Sequence, residues 1–212
     1  MRSCIFEIEK MRMNKLVYIF LVFLVFGCNQ KKRALLGDTD FQKKMNTTFK
    51  DASKSPLKEK DLKDFKGLNF FEFDSTFIVT AELRRTPESD FFEMPTTTGK
   101  VSQERVYGVL KFELKGKSHQ LEVYQGEELI TTEGFENYLF LPFIDDSNGD
   151  ATYGGGRYID LRIPQGNTIE IDFNQAYNPY CAYNEKYSCP IVPRVNYMPI
   201  KVEAGVKLFK KS

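Results

Sequence analysis

The chain of 212 residues has no tryptophan and one histidine, His119. A structural zinc centre needs about four soft or borderline ligands. Here they would have to come from cysteine, and two of the four cysteines, Cys4 and Cys28, fall at the N-terminus. That leaves Cys181 and Cys189, so no metal site is predicted. A cysteine or serine nucleophile wants a nearby base, and the single histidine makes that arrangement hard to build. An excess of one charge is also missing. Thirty basic and 29 acidic residues give a formal charge of +1, which offers no electrostatic reason to bind nucleic acid. The chain has no internal repeat and no low-complexity tract. It has no nucleotide fingerprint either. The glycines Gly154, Gly155 and Gly156 lack the partner glycine at position 159, which is Ile159, and no phosphate-loop lysine follows them. No cofactor is predicted.

No apolar run reaches the roughly 20 residues that span a bilayer. The longest, residues 16–27, fits the apolar core of a signal peptide after Lys15. It ends Leu24-Val25-Phe26-Gly27-Cys28, which resembles a lipobox. Cys28 is therefore the expected lipid attachment site, residues 1–27 the leader and residues 28–37 a tether. Glu7 and Glu9 do not suit a signal peptide, so translation is expected to begin at Met11 or Met13. Lys31, Lys32 and Arg33 follow the lipid, and each would gain on the order of 1 kcal/mol beside anionic headgroups. The expected location is the bacterial cell envelope, at the periplasmic face of the outer membrane. The membrane is reached through the lipid, and no partner or ligand is specified.

Residues 38–212 are long enough for a single domain with its own core. Asp38 or Thr39 is placed to cap a helix with Phe41, Met45 and Phe49 on one face. Ser55-Pro56 reads as the start of a second short helix carrying Leu57, Leu62 and Phe65 and stopping at Gly67. Beyond Phe70 the apolar period drops to two. Phe77, Val79 and Ala81 share one face, and so do Val106, Gly108, Leu110, Phe112 and Leu114. A two-residue loop at Gly116-Lys117 would pair Leu110 with Val123, Phe112 with Leu121 and Leu114 with His119. A second hairpin, residues 157–164 with 168–174, would set Ile159 against Phe173, Leu161 against Ile171 and Asp160 against Asp172. Like charges facing each other destabilise a pair of strands, so this hairpin asks for a cation or a shared proton there. A last strand is expected over residues 199–204. The fold class is mainly β: an antiparallel sandwich or open barrel with short N-terminal helices.

Candidate chemistry gathers between residues 145 and 193. Asp146, Asn148 and Asp150 have calcium-loop spacing, but Ala151 and Arg157 occupy the positions that need glycine and glutamate. A plain turn is the better reading. The triple glycine suits positive φ or close backbone approach. Cys181 and Cys189 are separated by seven residues. A disulfide would contribute roughly 2–3 kcal/mol, and free thiols remain the alternative. Tyr177, Tyr180, Tyr183 and Tyr187 carry polar tips on apolar bodies. They would line a groove for a glycan or peptide, or pack the loop down. The ligand-binding candidates are Asp145, Tyr153, Arg157, Tyr158, Asp160, Asp172, Asn174, Tyr177 and Asn178.

Asp145, Gly149, Thr152 to Tyr158, Asp172-Phe173-Asn174, Ala176 to Pro179, Cys181-Ala182, Cys189-Pro190 and Asn196 together resemble the domain of unknown function 1684 family. The resemblance extends from about Ser55, and the leader is similar to that of a lipoprotein member from Bacteroidetes. Ser147 stands where the family is expected to have threonine, and Val195 where an acid is expected. The resemblance implies no established activity. Three functions stay open: a ligand-binding envelope protein, a hydrolase using Asp160 and Asp172 with tyrosines, and a structural interaction protein.

Overall fold

A computed structural model describes residues 37–210, which belong to one compact unit. The leader, the alternative starts Met11 and Met13, and Cys28 lie outside the described residues. Among those described, no helix is long and apolar enough to cross a membrane.

Thr39 caps α1 (Asp40–Lys50), its hydroxyl accepting from Gln42 N. Gln42 reaches back to Asp38 N at 2.7 Å, a variant of the reciprocal capping box. Helix α2 (Glu59–Lys63) begins later than Ser55-Pro56 implied. Ser55 instead takes Leu57 N in a local turn. Phe49 of α1 packs with Leu57, Leu68, Tyr183 and Val206. The helices thus bury their apolar face against loops and the C-terminal tail as well as against each other.

The strands are β1 (Ile78–Arg85), β2 (Phe92–Pro95), β3 (Val101–Leu114), β4 (Lys117–Gly126), β5 (Tyr138–Asp145), β6 (Arg157–Arg162), β7 (Thr168–Asp172) and β8 (Tyr197–Met198). A four-residue helix, α3 (Glu127–Ile130), follows β4. One sheet runs β6-β5-β4-β3-β1-β7, with β2 added to β3 and β8 added in parallel to β5. The fold is mainly β and antiparallel, a curled half-barrel. One face carries Leu110, Leu121, Val123, Leu139, Leu141, Phe143, Ile159 and Ile171. The other carries a smaller cluster of Met94, Tyr124, Phe140, Tyr158 and Val192.

Three expectations are corrected. The β3–β4 hairpin keeps its apolar face but pairs Leu110 with Leu121, Phe112 with His119 and Leu114 with Lys117. The turn residues are Lys115 and Gly116, both at positive φ. That is the geometry that follows strand twist most closely, and it moves the register by two residues. A bulge between Val106 and Gly108 then turns Val106 to the opposite face, beside Tyr124. The second hairpin does not form: β6 pairs with β5, and β7 pairs with β1. Asp160 lies opposite Phe140 and Asp172 opposite Ile78, so the carboxylates are not paired. Residues 199–204 are not a strand, because side chains take their backbone groups. Arg157 donates to Val202 O at 2.7 Å and to Ala204 O, while Val202 N donates to Asp145 Oδ1 at 3.0 Å.

Strand β4 meets β5 only at Tyr124 and Phe140. Asn196, fully buried, fills the gap. Its carbonyl accepts from Glu122 N, and its amide donates to Glu122 O and Pro142 O. One side chain therefore supplies what the ladder between diverging strands cannot.

Glu104 on β3 is the least comfortable group in the sheet. It is buried, Oε1 accepts from Ser102, and Oε2 has no partner. Burial raises its pKa above the ordinary glutamate value. A carboxyl whose folded pKa is raised favours folding at low pH, and that contribution is lost as pH rises through the folded pKa. Glu104→Gln is therefore expected to stabilise the protein by about 1 kcal/mol at pH 7. The gain should vanish at about pH 3, where the wild-type carboxyl is protonated in both states. Urea unfolding at both pH values measures it, and a pH-independent difference would contradict the assignment.

Candidate functional site

Strand β6 begins at a sharp corner. Gly156 has φ +90°, and a Cβ there would lie 2.7 Å from Phe143 O and 2.6 Å from Val192 Cγ2. Glycine is required both by conformation and by closeness. Gly154 and Gly155 are exposed and do not adopt positive φ. The corner turns Arg157 inward, fully buried, where it meets Asp145 Oδ2 at 2.8 Å. Burial lowers the guanidinium pKa, and Asp145 opposes that shift. Asp145 also accepts from Ser147 N and Val202 N. These two candidates are locked to each other inside the fold.

After the corner, Tyr158, Asp160 and Arg162 take the face opposite Arg157, while Ile159 and Leu161 enter the core. Tyr158 packs edge-on against Phe140 at 4.7 Å and against Tyr177 at 5.9 Å, and its hydroxyl donates to Pro190 O. Tyr177 exchanges two backbone hydrogen bonds with Tyr158, at 2.9 and 3.0 Å, and so covers the edge of β6. Asp160 is exposed, and its Oδ1 accepts from Tyr138 at 2.8 Å and Tyr177 at 2.5 Å. Burial, reinforced by Asp160, pushes both phenols well above their ordinary pKa; Tyr138 adds to the shift of Tyr177, whereas Tyr177 partly opposes that of Tyr138. They remain protonated donors at neutral pH. Both bonds go to Oδ1.

A cleft of about 660 Å³ opens here. Its floor is Tyr158, Asp160 and Arg162. The loop contributes Tyr177, Tyr180, Tyr187 and Cys189, and α1 supplies Phe41, Lys44 and Met45. Arg162 stacks over Phe135 and Tyr138. Aromatic faces, one carboxylate and two cations converge, an arrangement that suits binding through stacking and hydrogen bonds.

The remaining candidates lie elsewhere. Asn174 is buried and holds Asp74 by its backbone N and O. Asp172 accepts from Asn174 N, capping the one-turn helix Phe173–Gln175. It borders a neighbouring depression with Phe41 and Lys44. Asn178 is buried and donates to Lys207 O. Tyr183 is buried edge-on beneath Phe49. Tyr153 approaches Cys181 Sγ at 4.0 Å. Cys181 and Cys189 are unbonded thiols in contact, with Cys181 N donating to Cys189 Sγ at 3.2 Å. The 145–150 segment is a turn: Asn148 bonds Asp145 N, Thr152 Oγ1 and Tyr153 O. No group of three or more metal-binding residues forms among the described residues. Tyr138 is the member that the sequence analysis omits. Its strand is apolar on both faces and shows no alternation, a pattern that marks a buried strand only when length and β-branched or aromatic content are weighed.

A family model described as protein of unknown function (DUF1684) matches residues 63–207. The chain belongs to that family. The solution NMR structure of an uncharacterised protein from Haloarcula marismortui is similar, with 29% identity and a TM-score of 0.63 over 78% of this chain and 89% of that one. No curated protein matches. The DUF1684 span holds all the strands, the triple glycine and both thiols, but it begins after α1. The cleft therefore has a floor and loop from the family domain and a wall from outside the matched span. Ser147 and Val195 differ in consequence. Ser147 is buried against Thr152, whereas Val195 is 57% exposed.

The corner gives a test within one motif. Gly156→Ala should destabilise the protein by about 2 kcal/mol or more. Gly154→Ala, whose Cβ would meet Gly149 at ordinary contact distance, should stay within about 0.5 kcal/mol. Equal effects in urea unfolding would show that the corner does not require Gly156.

Proposed function

We propose that the protein is a lipid-anchored component of the bacterial cell envelope, of the Bacteroidetes lipoprotein type, whose β-domain binds a small ligand, glycan or peptide. The anchor is argued from residues 16–27 and Cys28. The binding reading is carried by the cleft beside β6. It sets an exposed carboxylate among tyrosine faces, with Arg162 and Lys44 near it. Sugar rings and peptide side chains are held by such stacking surfaces, and their hydroxyls and amides are donors that a carboxylate accepts. A hydrolase reading would need two carboxylates acting together. Asp160 and Asp172 are not strand partners, accept from different groups and line different depressions, so that reading loses its main support.

The test is a titration of isotope-labelled full chain carrying Cys28→Ser with neutral oligosaccharides and short peptides, followed by amide chemical shifts. Binding should move the resonances of Tyr158, Asp160, Tyr177, Tyr180 and Tyr187, and Asp160→Ala should weaken it at least about tenfold, as for loss of a charged hydrogen bond. Shifts scattered away from the cleft, or none across the panel, would overturn the binding reading.

A further inference from the structure

The two thiols are not needed by the ligand reading, and their surroundings are unequal. Cys181 lies in the one-turn helix Tyr180–Ala182 and is half-buried. Cys189 is buried in the cleft wall. The loop between them is pinned to the turn after β2. Thr97 N donates to Cys189 O, Cys189 N donates to Thr97 Oγ1, and Ile191 N donates to Pro95 O. This holds the sulfurs together without a covalent bond. The Cys189 thiol donates to the Cys181 sulfur and the hydroxyls of Thr97 and Tyr153 add to it, while the backbone N–H of Cys181 donates to Cys189 Sγ at 3.2 Å. Hydrogen bonds to the anionic form favour it. The Cys181 thiol is accordingly drawn down to about 6 against the opposing effect of burial. Cys189 is pushed well above its ordinary value, first by donating to Cys181 and then by burial. The other titratable groups facing the pair are Tyr153 and Tyr158. The half-buried Cys181 sulfur is thus the one favoured as thiolate, with the buried Cys189 thiol in contact with it.

We infer that Cys181 and Cys189 form a thiol–disulfide exchange site, with Cys181 the attacking thiolate and Cys189 the resolving thiol, acting on a low-molecular-weight disulfide. The Cys181 thiolate attacks one sulfur of the disulfide, a mixed disulfide forms, and the first small thiolate leaves. Cys189 then gives up its proton to solvent or to that leaving thiolate. Its sulfur attacks Cys181 Sγ and expels the second small thiol. The protein dithiol is oxidised to a disulfide and the small disulfide is reduced to two thiols. Residues 181–189 become a closed ring. This site does not depend on the cleft binding a glycan or peptide.

The probe is 5,5′-dithiobis(2-nitrobenzoic acid), added to full chain in which Cys4→Ser and Cys28→Ser leave only this pair. Two equivalents of the coloured thiolate should be released, and the intact mass should fall by two hydrogens with no label retained. The fast phase should rise with a midpoint below the ordinary cysteine pKa of about 8.5. Cys189→Ser should release one equivalent and retain one label. Cys181→Ser should slow the fast phase at pH 7 by about tenfold or more, because the remaining thiol is buried and protonated. An unchanged circular dichroism spectrum establishes that each serine variant is folded. Two retained labels on the parent, or Cys181→Ser reacting within twofold of it, would overturn the inference.

Discussion

Everything around the cleft depends on a charge that never meets water. Arg157 has no exposed surface, and neither does the Asp145 side chain that it binds. Removing two charges from water costs several kcal/mol for each ion, and mutual attraction offsets this only when further hydrogen bonds satisfy both groups. Here they do for every polar atom but the buried Nε of Arg157, which has no partner. The guanidinium reaches Asp145, Val202 O and Ala204 O, and the carboxylate takes Ser147 N and Val202 N as well. The pair ties the C-terminal segment, which has no strand ladder of its own there, to the end of β5 and the start of β6. Because Arg157 points inward, its neighbour Tyr158 points outward into the cleft, by the alternation of a strand.

Buried asparagines apply the same solution elsewhere. An amide carries a donor and an acceptor on one planar group, so it can stand in for a missing strand neighbour. Asn196 does this between β4 and β5, Asn174 does it for Asp74, and Asn46 accepts from Leu68 N. The irregular segments of the fold are therefore held by specific side chains as well as by apolar packing. This explains why the chain from 145 to 196 is rich in glycine, asparagine and proline and yet buries Asn174, Asn178, Asn184 and Asn196. Most of those residues build the frame, and a few of the tyrosines with Asp160 reach the cleft.

The parts of this that were legible in the sequence were those set by period. The helix at Phe41, Met45 and Phe49, the apolar faces of β1, β3 and β4, and the role of glycine at the corner follow from spacing alone. Strand partners did not follow. The 157–164 and 168–174 stretches match each other in alternation, but period two says which face a residue takes, not which strand it joins. The hairpin register shifted because Lys115, a residue with a Cβ, adopts positive φ. Of the candidate site, Tyr158, Asp160, Tyr177 and Cys189 come together. Arg157, Asp145, Asn174 and Asn178 were chosen for the same polar chemistry, but that chemistry is directed at the backbone. The distinction depends on burial, which one sequence does not reveal for a polar residue.

The central claim is that the Arg157–Asp145 pair is the structural joint on which the β6 edge and the C-terminal segment are hung. A double-mutant cycle tests it most directly, with Arg157→Met, Asp145→Leu and the combined variant compared by urea unfolding. Each single change should cost about 3–5 kcal/mol, because it leaves the other charge buried and unpaired. The combined variant should be less destabilised than the sum of the two, by at least about 1.5 kcal/mol of coupling. Single variants that each lose less than about 1 kcal/mol, or effects that simply add, would contradict the account.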